Sequence, residues 1–128
     1  MTEIHYLCKI DKNLYSVVTP DITTDEVIIS EERIFHIKEH HPGDYEKYKQ
    51  YMTRAITEPD YILEANLPST AMILKEIEEN GSKIKLILRL KTSTDAADLK
   101  NSVITFQKVN DKRYNRYLRN GKILYRKK

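Results

Sequence analysis

The hydrophobic positions first predict a hairpin and two helices. Residues 4–19 are rich in β-forming side chains on both sides of an Asp-Lys-Asn turn, so we expect a β-hairpin there, followed by a short strand at residues 27–29. Residues 31–40 carry isoleucines three positions apart behind Ser30, a favourable N-cap, which predicts a helix. Asp44 is the expected N-cap of a second helix. Its apolar stripe at helical spacing, assigned to the core, is Tyr45, Tyr48, Met52, Ala55 and Ile56.

From residue 60 onward the spacing of the apolar residues changes from the helical period of 3.6 to the strand period of 2. Strands are predicted at residues 60–65 and 71–77, and an Asn-Gly pair then indicates a hairpin into a strand at 83–91 with one apolar face and one basic face. A further strand, a short helix and a last strand are predicted at residues 102–109, 111–120 and 122–126. A helical part followed by an antiparallel meander is typical of the α+β class.

The length of the chain and its N-terminal sequence limit the classes of protein to which it can belong. A chain of 128 residues fits one domain, which we divide into a hairpin extension at residues 1–26 and a core at 27–128. No run of about 18 apolar residues predicts a membrane span, and the N-terminus lacks the features of a signal peptide. The single cysteine, Cys8, excludes an internal disulfide. We therefore expect a cytoplasmic protein.

The charges are distributed unevenly along the chain. Residues 1–80 hold 8 Lys and Arg against 16 Asp and Glu, whereas residues 81–128 hold 14 against 3. The basic residues alternate with apolar ones in foldable patterns, so we expect a folded basic surface that faces a polyanion. The alternative is a basic segment that only aids solubility. Six cations are the candidates for RNA binding: Lys83, Lys85, Lys91, Lys112, Arg116 and Arg119.

Residues 33–42 are the strongest candidate for chemistry. Three of the four histidines fall at positions 36, 40 and 41, and Arg33 lies one helical turn before His36. Histidine has an unperturbed pKa near neutrality, which suits it to acid–base catalysis, although histidines on an exposed helix can also be without function. His36 and His40 have a spacing that can chelate zinc, but no third ligand is evident. We predict neither a metal nor another cofactor.

The same residues suit cleavage of RNA without a metal ion. That reaction needs a base for the 2′-hydroxyl, an acid for the leaving 5′-oxygen and groups that bind the phosphorane. Histidines would come from the first helix, Arg89 from the basic strand face, and hydroxyls from Ser102 and Thr105 on the next strand. If these two strands are neighbours in the meander, Arg89 and Thr105 can meet on one face.

Taken together, the motifs resemble a known family of nucleases. The chain is similar, over roughly residues 27–126, to the phage-associated branch of the barnase–EndoU–colicin–RelE-like (BECR) nucleases. The order and spacing of four segments carry this resemblance. They are Arg33-x-x-His36-Ile37-x-x-x-His41-Pro42, Glu58-Pro59-Asp60-Tyr61-Ile62-Leu63, Asn101-Ser102-Val103-Ile104-Thr105-Phe106 and Lys122-Ile123-Leu124-Tyr125.

The resemblance implies a fold, an activity and a set of site residues. The implied fold is a pair of N-terminal helices packed on a four-stranded antiparallel sheet, and the implied activity is that of a metal-independent ribonuclease, often a toxin. His36 and His41 would form the acid–base pair, and Arg33 would orient one of them or bind phosphate. The family's hydroxyl and late aromatic positions would be Ser102, Thr105 and Tyr125.

The sequence therefore gives one leading hypothesis and two alternatives. The hypothesis is a phage-related or toxin-like endoribonuclease that cleaves by 2′-hydroxyl attack, with RNA, for example transfer RNA, as substrate and an antidote (immunity) protein as a candidate partner. The first alternative is a non-catalytic RNA- or protein-binding module of phage origin. The second is a phage morphogenesis component without activity or RNA affinity.

Overall fold

One mixed sheet with helices on both faces forms the framework. A computed structural model of the chain describes residues 3–128. No helix in this part of the chain is long and apolar enough to cross a membrane. In chain order the elements are β1 (Ile4–Lys9), α1 (Lys12–Tyr15), β2 (Glu26–Ser30), α2 (Glu31–His40), α3 (Asp44–Tyr48), a 3₁₀ turn (Lys49–Tyr51), α4 (Met52–Thr57), β3 (Tyr61–Glu64), β4 (Thr70–Glu76), β5 (Lys83–Arg89), β6 (Asn101–Val109), α5 (Asp111–Asn120) and β7 (Ile123–Arg126).

The α+β class is confirmed, but the sheet is larger than predicted. Seven strands pair in the order β1-β2-β6-β5-β4-β3-β7, and the pairing of β2 with β6 is parallel. The predicted antiparallel meander forms the centre, β3 to β6. The prediction of four antiparallel strands was wrong because β7 joins β3 at one edge, while β2 and β1 join β6 at the other. The helical segment between β2 and the meander provides a connection long enough for parallel pairing.

The predicted N-terminal hairpin does not form. The Asp11 carboxylate accepts hydrogen bonds from two backbone N–H groups ahead of it and starts the helical turn α1 where a second strand was expected. Strand β1 pairs with β2, so the antiparallel partner lies farther along the chain. Tyr15, fully buried, donates a hydrogen bond to the Ile56 carbonyl at 2.6 Å, and Cys8 joins the same core. The N-terminal segment is therefore part of the main hydrophobic core.

The first predicted helix is confirmed, whereas the second is broken. Ser30 caps α2 by accepting a hydrogen bond from the Arg33 N–H. Beyond it the chain forms α3, a 3₁₀ turn and α4, with Gly43 at the start of α3 in a left-handed conformation (φ 84°). Asp44 is not the N-cap; its side chain binds a strand instead. The predicted apolar stripe faces the core: Tyr48, Met52, Ala55 and Ile56 are buried and Tyr45 is half-buried.

The two faces of the sheet differ in what covers them. Helices α2 to α4 pack on one face, where the even-numbered residues of β5 are buried, and we call this the helix-covered face. The opposite face carries Lys85, Ile87 and Arg89 of β5 with Ser102 and Thr105 of β6, and we call it the open face. Helix α5 covers part of the open face through a small second core around Tyr114, Leu63, Leu74 and Val109.

Asn101 ties three segments together at the start of β6. Its side chain is fully buried; the amide oxygen accepts from the Lys91 N–H at 2.7 Å, and the amide nitrogen donates to the Thr24 carbonyl at 2.8 Å. Buried backbone groups that lose their partner destabilise a fold because they were desolvated without compensation. This asparagine therefore holds the lead-in to β2 and the segment after β5 against β6.

We expect Asn101→Ala to lower the free energy of unfolding by about 2–4 kcal/mol, because two buried backbone groups lose their hydrogen bonds. Urea denaturation of both proteins measures the difference. The control is Asn66→Ala, since Asn66 is exposed. A decrease for Asn101→Ala no larger than for the control would contradict this role.

Candidate active site

The open face brings together the predicted arginine and hydroxyl residues. Arg89 pairs with Ser102 across β5 and β6, and Ile87 pairs with Thr105, with an irregularity in β6 between the two pairs. Arg89 and Thr105 therefore share one face, as the sequence predicted, and the irregularity in β6 brings Ser102 to the same face. All three side chains are partly accessible.

Arg89 is held by a carboxylate from the loop that follows it. Its Nη2 atom lies 3.0 Å from Asp95 Oδ1, and its Nη1 atom donates to the Leu90 carbonyl. The other Asp95 oxygen accepts from the Thr92 N–H, and the pKa of Asp95 is lowered first by that backbone hydrogen bond and then by the charge of Arg89. A substrate phosphate would therefore have to compete with Asp95 for the guanidinium group.

A small cavity lies beside this arginine. Its volume is about 230 Å³, and its apolar walls come from Ile4, Ile28 and Leu99. Arg89 and Ser102 contribute polar groups to the lining. The volume is below the range of typical drug-sized pockets, so this cavity suits a fragment of a ligand, such as one ring, better than a whole cofactor.

The end of α2 is fixed against the edge of β6. Asp44 Oδ2 accepts a hydrogen bond from the Lys108 N–H at 3.0 Å. The Asp44 N–H in turn donates to the His41 carbonyl at 3.1 Å. Gly43 supplies the left-handed conformation that the turn between α2 and α3 requires. These contacts hold His41, the residue that ends α2, at the border of the sheet.

His41 is half-buried, and its pKa is lowered. Burial lowers its pKa from the ordinary value, and the charges of His40, Lys85 and Arg113 add to this effect. The carboxylate of Asp44 opposes it. The net direction favours the neutral imidazole, which is the form that can accept a proton.

Helix α5 completes this corner of the open face with a tyrosine held by two cations. The Tyr117 hydroxyl oxygen lies 3.2 Å from Lys85 Nζ and 2.8 Å from Arg113 Nη2. The same cations approach the face of the Tyr117 ring, at 5.0 and 5.8 Å from its centroid. Burial raises the pKa of Tyr117, but the two hydrogen bonds and the two positive charges outweigh it, so the net shift is downward.

The remaining residues of the histidine segment lie along α2. His36 and His40 are exposed and stacked, with ring centroids 4.1 Å apart, and His40 Nδ1 donates to the His36 carbonyl at 3.0 Å. Arg33 shares their side of the helix, opposite the side on which Lys38 meets α3. Within residues 3–128 no hydrogen bond or ion pair joins His36 to His41 or to Arg33.

The other predicted site residues divide by location. Tyr125 pairs with Ile62 at the far edge of the sheet and packs on the main core, so the structure does not bring it to Arg89. Lys83 is ion-paired with Glu76 and Asp111, whereas Lys91 lines the small cavity. On the outer side of α5 three exposed cations make no ion pair within the described residues: Lys112, Arg116 and Arg119.

Sequence reasoning misses the residues that complete this site. Asp95, Arg113 and Tyr117 are not among the site residues that the sequence predicts. Arg113 and Tyr117 are four apart on α5, a spacing that puts side chains in contact, and this is the available signal. The pairing of α5 with β5 through Lys85 is a tertiary contact that no local pattern predicts.

The single group of potential metal ligands in residues 3–128 lies elsewhere. Donor atoms of Glu3, His5 and Glu31 lie within 4.8 Å of one another at the beginning of α2. His41 ends the same ten-residue helix, roughly 15 Å away along its axis. This group therefore lies at the opposite end of α2 from His41.

The comparison with protein families identifies the family of the chain. The model of the phage-Barnase-EndoU-ColicinE5/D-RelE like nuclease2 family matches residues 6–126 of the 128. The chain belongs to this nuclease family. The match begins within β1, so it includes residues 6–26 of the N-terminal extension predicted at residues 1–26. Neither a curated protein nor a solved structure matched the chain.

The charged residues that act on His41 predict how substitutions of those residues change its pKa. We expect a pKa below 6.5 by NMR titration, a higher value in Lys85→Met, and a lower value in Asp44→Asn, which keeps an oxygen for the Lys108 N–H but removes the charge. Since the folded-state pKa is lowered, the stability contributed by neutral His41 is full above about pH 6.5 and declines as the pH falls through the folded value. Unchanged pKa values in both variants would contradict the described arrangement.

Proposed function

We propose that this nuclease is a metal-independent endoribonuclease whose active site lies on the open face between the end of α2 and α5. His41 is the general base, and Lys85, Arg113 and Arg89 bind phosphates of the substrate. Ser102 and Thr105 line the same face beside Arg89. The membership in a nuclease family supports a nucleic acid as the substrate.

One observation carries this proposal. His41 is the α2 histidine that the turn after the helix holds at the edge of β6, through the Asp44 contact with the Lys108 N–H. Burial, with smaller contributions from the charges of His40, Lys85 and Arg113, lowers its pKa, which is the direction that a base at neutral pH needs. For His36 no such neighbours support a direct role. Its assignment by family resemblance stays a prediction, which the assay below tests with its own variant.

The proposed chemistry follows from these groups. Neutral His41 removes the proton of a 2′-hydroxyl, and the freed oxygen attacks the adjacent phosphorus atom. The bond between phosphorus and the 5′-oxygen breaks and leaves a 2′,3′-cyclic phosphate. Cationic side chains stabilise the additional negative charge of the phosphorane, which is the contribution a metal ion would otherwise make. The attack requires RNA, because DNA has no 2′-hydroxyl.

The decisive test is incubation of the purified protein with total RNA and transfer RNA in EDTA. We expect cleavage that ends in a 2′,3′-cyclic phosphate, and a rate about 100-fold or more lower in His41→Ala, as for removal of a general base. We expect a smaller decrease in His36→Ala. In wild type, the acidic limb of the pH profile should report the pKa of His41, below 6.5.

Two outcomes would contradict the proposal. Cleavage that EDTA abolishes would assign the reaction to a metal ion, and full activity in His41→Ala would remove the proposed base. Salt-sensitive RNA binding without cleavage would favour the alternative, a non-catalytic RNA-binding module.

The exposed cations of α5 should contribute to RNA affinity without taking part in the chemistry. Arg116 lies one turn from Arg113, so the basic side of the helix borders the site. We expect Lys112→Gln, Arg116→Gln and Arg119→Gln each to weaken binding of a non-cleavable 2′-O-methyl RNA. The slope of log affinity against log salt should become shallower by about 0.7 for each phosphate that the variant no longer neutralises. Gln50→Ala, on the helix-covered side, is the control; equal slopes for all four variants would contradict this prediction.

A further inference from the structure

We propose that Tyr117 is the general acid of the reaction, the group that gives a proton to the leaving 5′-oxygen. This inference rests on the proposed function and names the general acid that acts together with the general base His41. An acid and a base must act on opposite sides of the phosphorus atom, because the attacking and leaving oxygens lie in line. The structure offers Tyr117 on α5, whose hydroxyl lies at hydrogen-bond distance from Lys85 and Arg113. His41 lies at the end of α2, and the charges of the same two cations act on it.

The hydrogen bonds of the Tyr117 hydroxyl determine where its proton lies. A phenol oxygen can accept two hydrogen bonds and donate one. Lys85 and Arg113 can only donate, so both acceptor positions are occupied. Within residues 3–128 the hydroxyl donates to no other group, so its own proton is directed away from the two cations and is available to a ligand.

The same two cations stabilise the product of proton transfer. When the phenol gives its proton to the 5′-oxygen, the P–O5′ bond breaks to a neutral hydroxyl and the tyrosine becomes a phenolate. Lys85 and Arg113 already lie at hydrogen-bond distance from the oxygen that acquires this charge, and charge-assisted hydrogen bonds are the stronger kind. Solvent then returns the proton to the phenolate before the next turnover.

The position of Tyr117 is fixed by packing that does not depend on its hydroxyl. Its ring lies against the small core formed by Leu63, Leu74, Val109 and Tyr114, and it is half-buried. Tyr117→Phe therefore removes the proton donor and leaves the apolar contacts in place. Tyr114→Phe is a matched control on the same helix, because Tyr114 is buried and its hydroxyl forms no hydrogen bond within the described residues.

The test compares two leaving groups on one RNA oligonucleotide, in EDTA. One oligonucleotide is natural, and in the other sulfur replaces the bridging 5′-oxygen at the cleaved linkage. A thiolate is a much weaker base than an alkoxide and leaves without a proton. We expect Tyr117→Phe to cleave the natural linkage about 100-fold or more slowly than wild type, and the sulfur linkage less than about 10-fold more slowly.

The controls separate this proposal from the one on which it rests. His41→Ala should be slow on both linkages, because both need removal of the 2′-proton, and Tyr114→Phe should behave as wild type. If wild type is active and Tyr117→Phe is equally slow on both linkages, Tyr117 only positions Lys85 and Arg113, and the acid role is overturned. If Tyr117→Phe cleaves the natural linkage at the wild-type rate, the role is also overturned. If wild type cleaves neither RNA, the proposed function itself fails.

The pH dependence gives a second readout. The charged groups that face Tyr117 are Lys85 from β5 and Arg113 from its own helix, and the charges of the same two cations act on His41 at the end of α2. We expect the basic limb of the wild-type profile for the natural linkage to report the pKa of Tyr117, below the ordinary value of 10.0. This limb should be absent for the sulfur linkage. A basic limb that is identical for both linkages would contradict the assignment.

Discussion

The edge of β6 is the constraint on which this architecture depends. A strand needs partners for its backbone groups on both sides, and on one side β6 has the whole of β5. On the other side β2 pairs only with Asn101 and Ser102, so the rest of that edge needs another cover. The Asp44 carboxylate provides an acceptor there for the Lys108 N–H. Closing the sheet edge with the turn after α2 also places His41 at the border of the open face, so a requirement of the backbone positions a candidate catalytic residue.

Polar contacts join the two halves of the chain at this corner. The N-terminal part supplies Asp44, whose carboxylate accepts from the Lys108 N–H, while the basic C-terminal part supplies Lys85 and Arg113, which contact the Tyr117 hydroxyl. In the absence of substrate, Lys85 and Arg113 are stabilised by the phenol oxygen and the aromatic ring of Tyr117. Arg89 is instead neutralised by Asp95. The candidate site thus contains two kinds of cation. Lys85 and Arg113 contact a neutral tyrosine, whereas Arg89 is paired with a carboxylate.

The sequence predicted local structure well and long-range pairing poorly. The caps and alternation that specify α2, β5 and α5 depend on residues a few positions apart, and these elements formed as expected. The hairpin at residues 4–19 was wrong because Asp11 can cap a helical turn as readily as it can form a hairpin turn, and only the burial of Tyr15 decides between them. The shared face of Arg89 and Thr105 followed from strand order, whereas the placement of Ser102 on that face depends on an irregularity in β6. The proposed role of Tyr117 could not be predicted in this way, because Lys85 on β5 and Arg113 on α5 contact its hydroxyl only in the folded chain.

The central claim is that RNA is cleaved on the open face between the end of α2 and α5. Its most direct test is a crystal structure or NMR mapping of the protein with a 2′-O-methyl RNA oligonucleotide, which binds but lacks the attacking hydroxyl. The account predicts a phosphate within hydrogen-bond distance of Lys85 and Arg113, with the ribose 2′-oxygen next to His41 and the 5′-oxygen next to Tyr117. RNA bound on the helix-covered face, or away from His41, would contradict it.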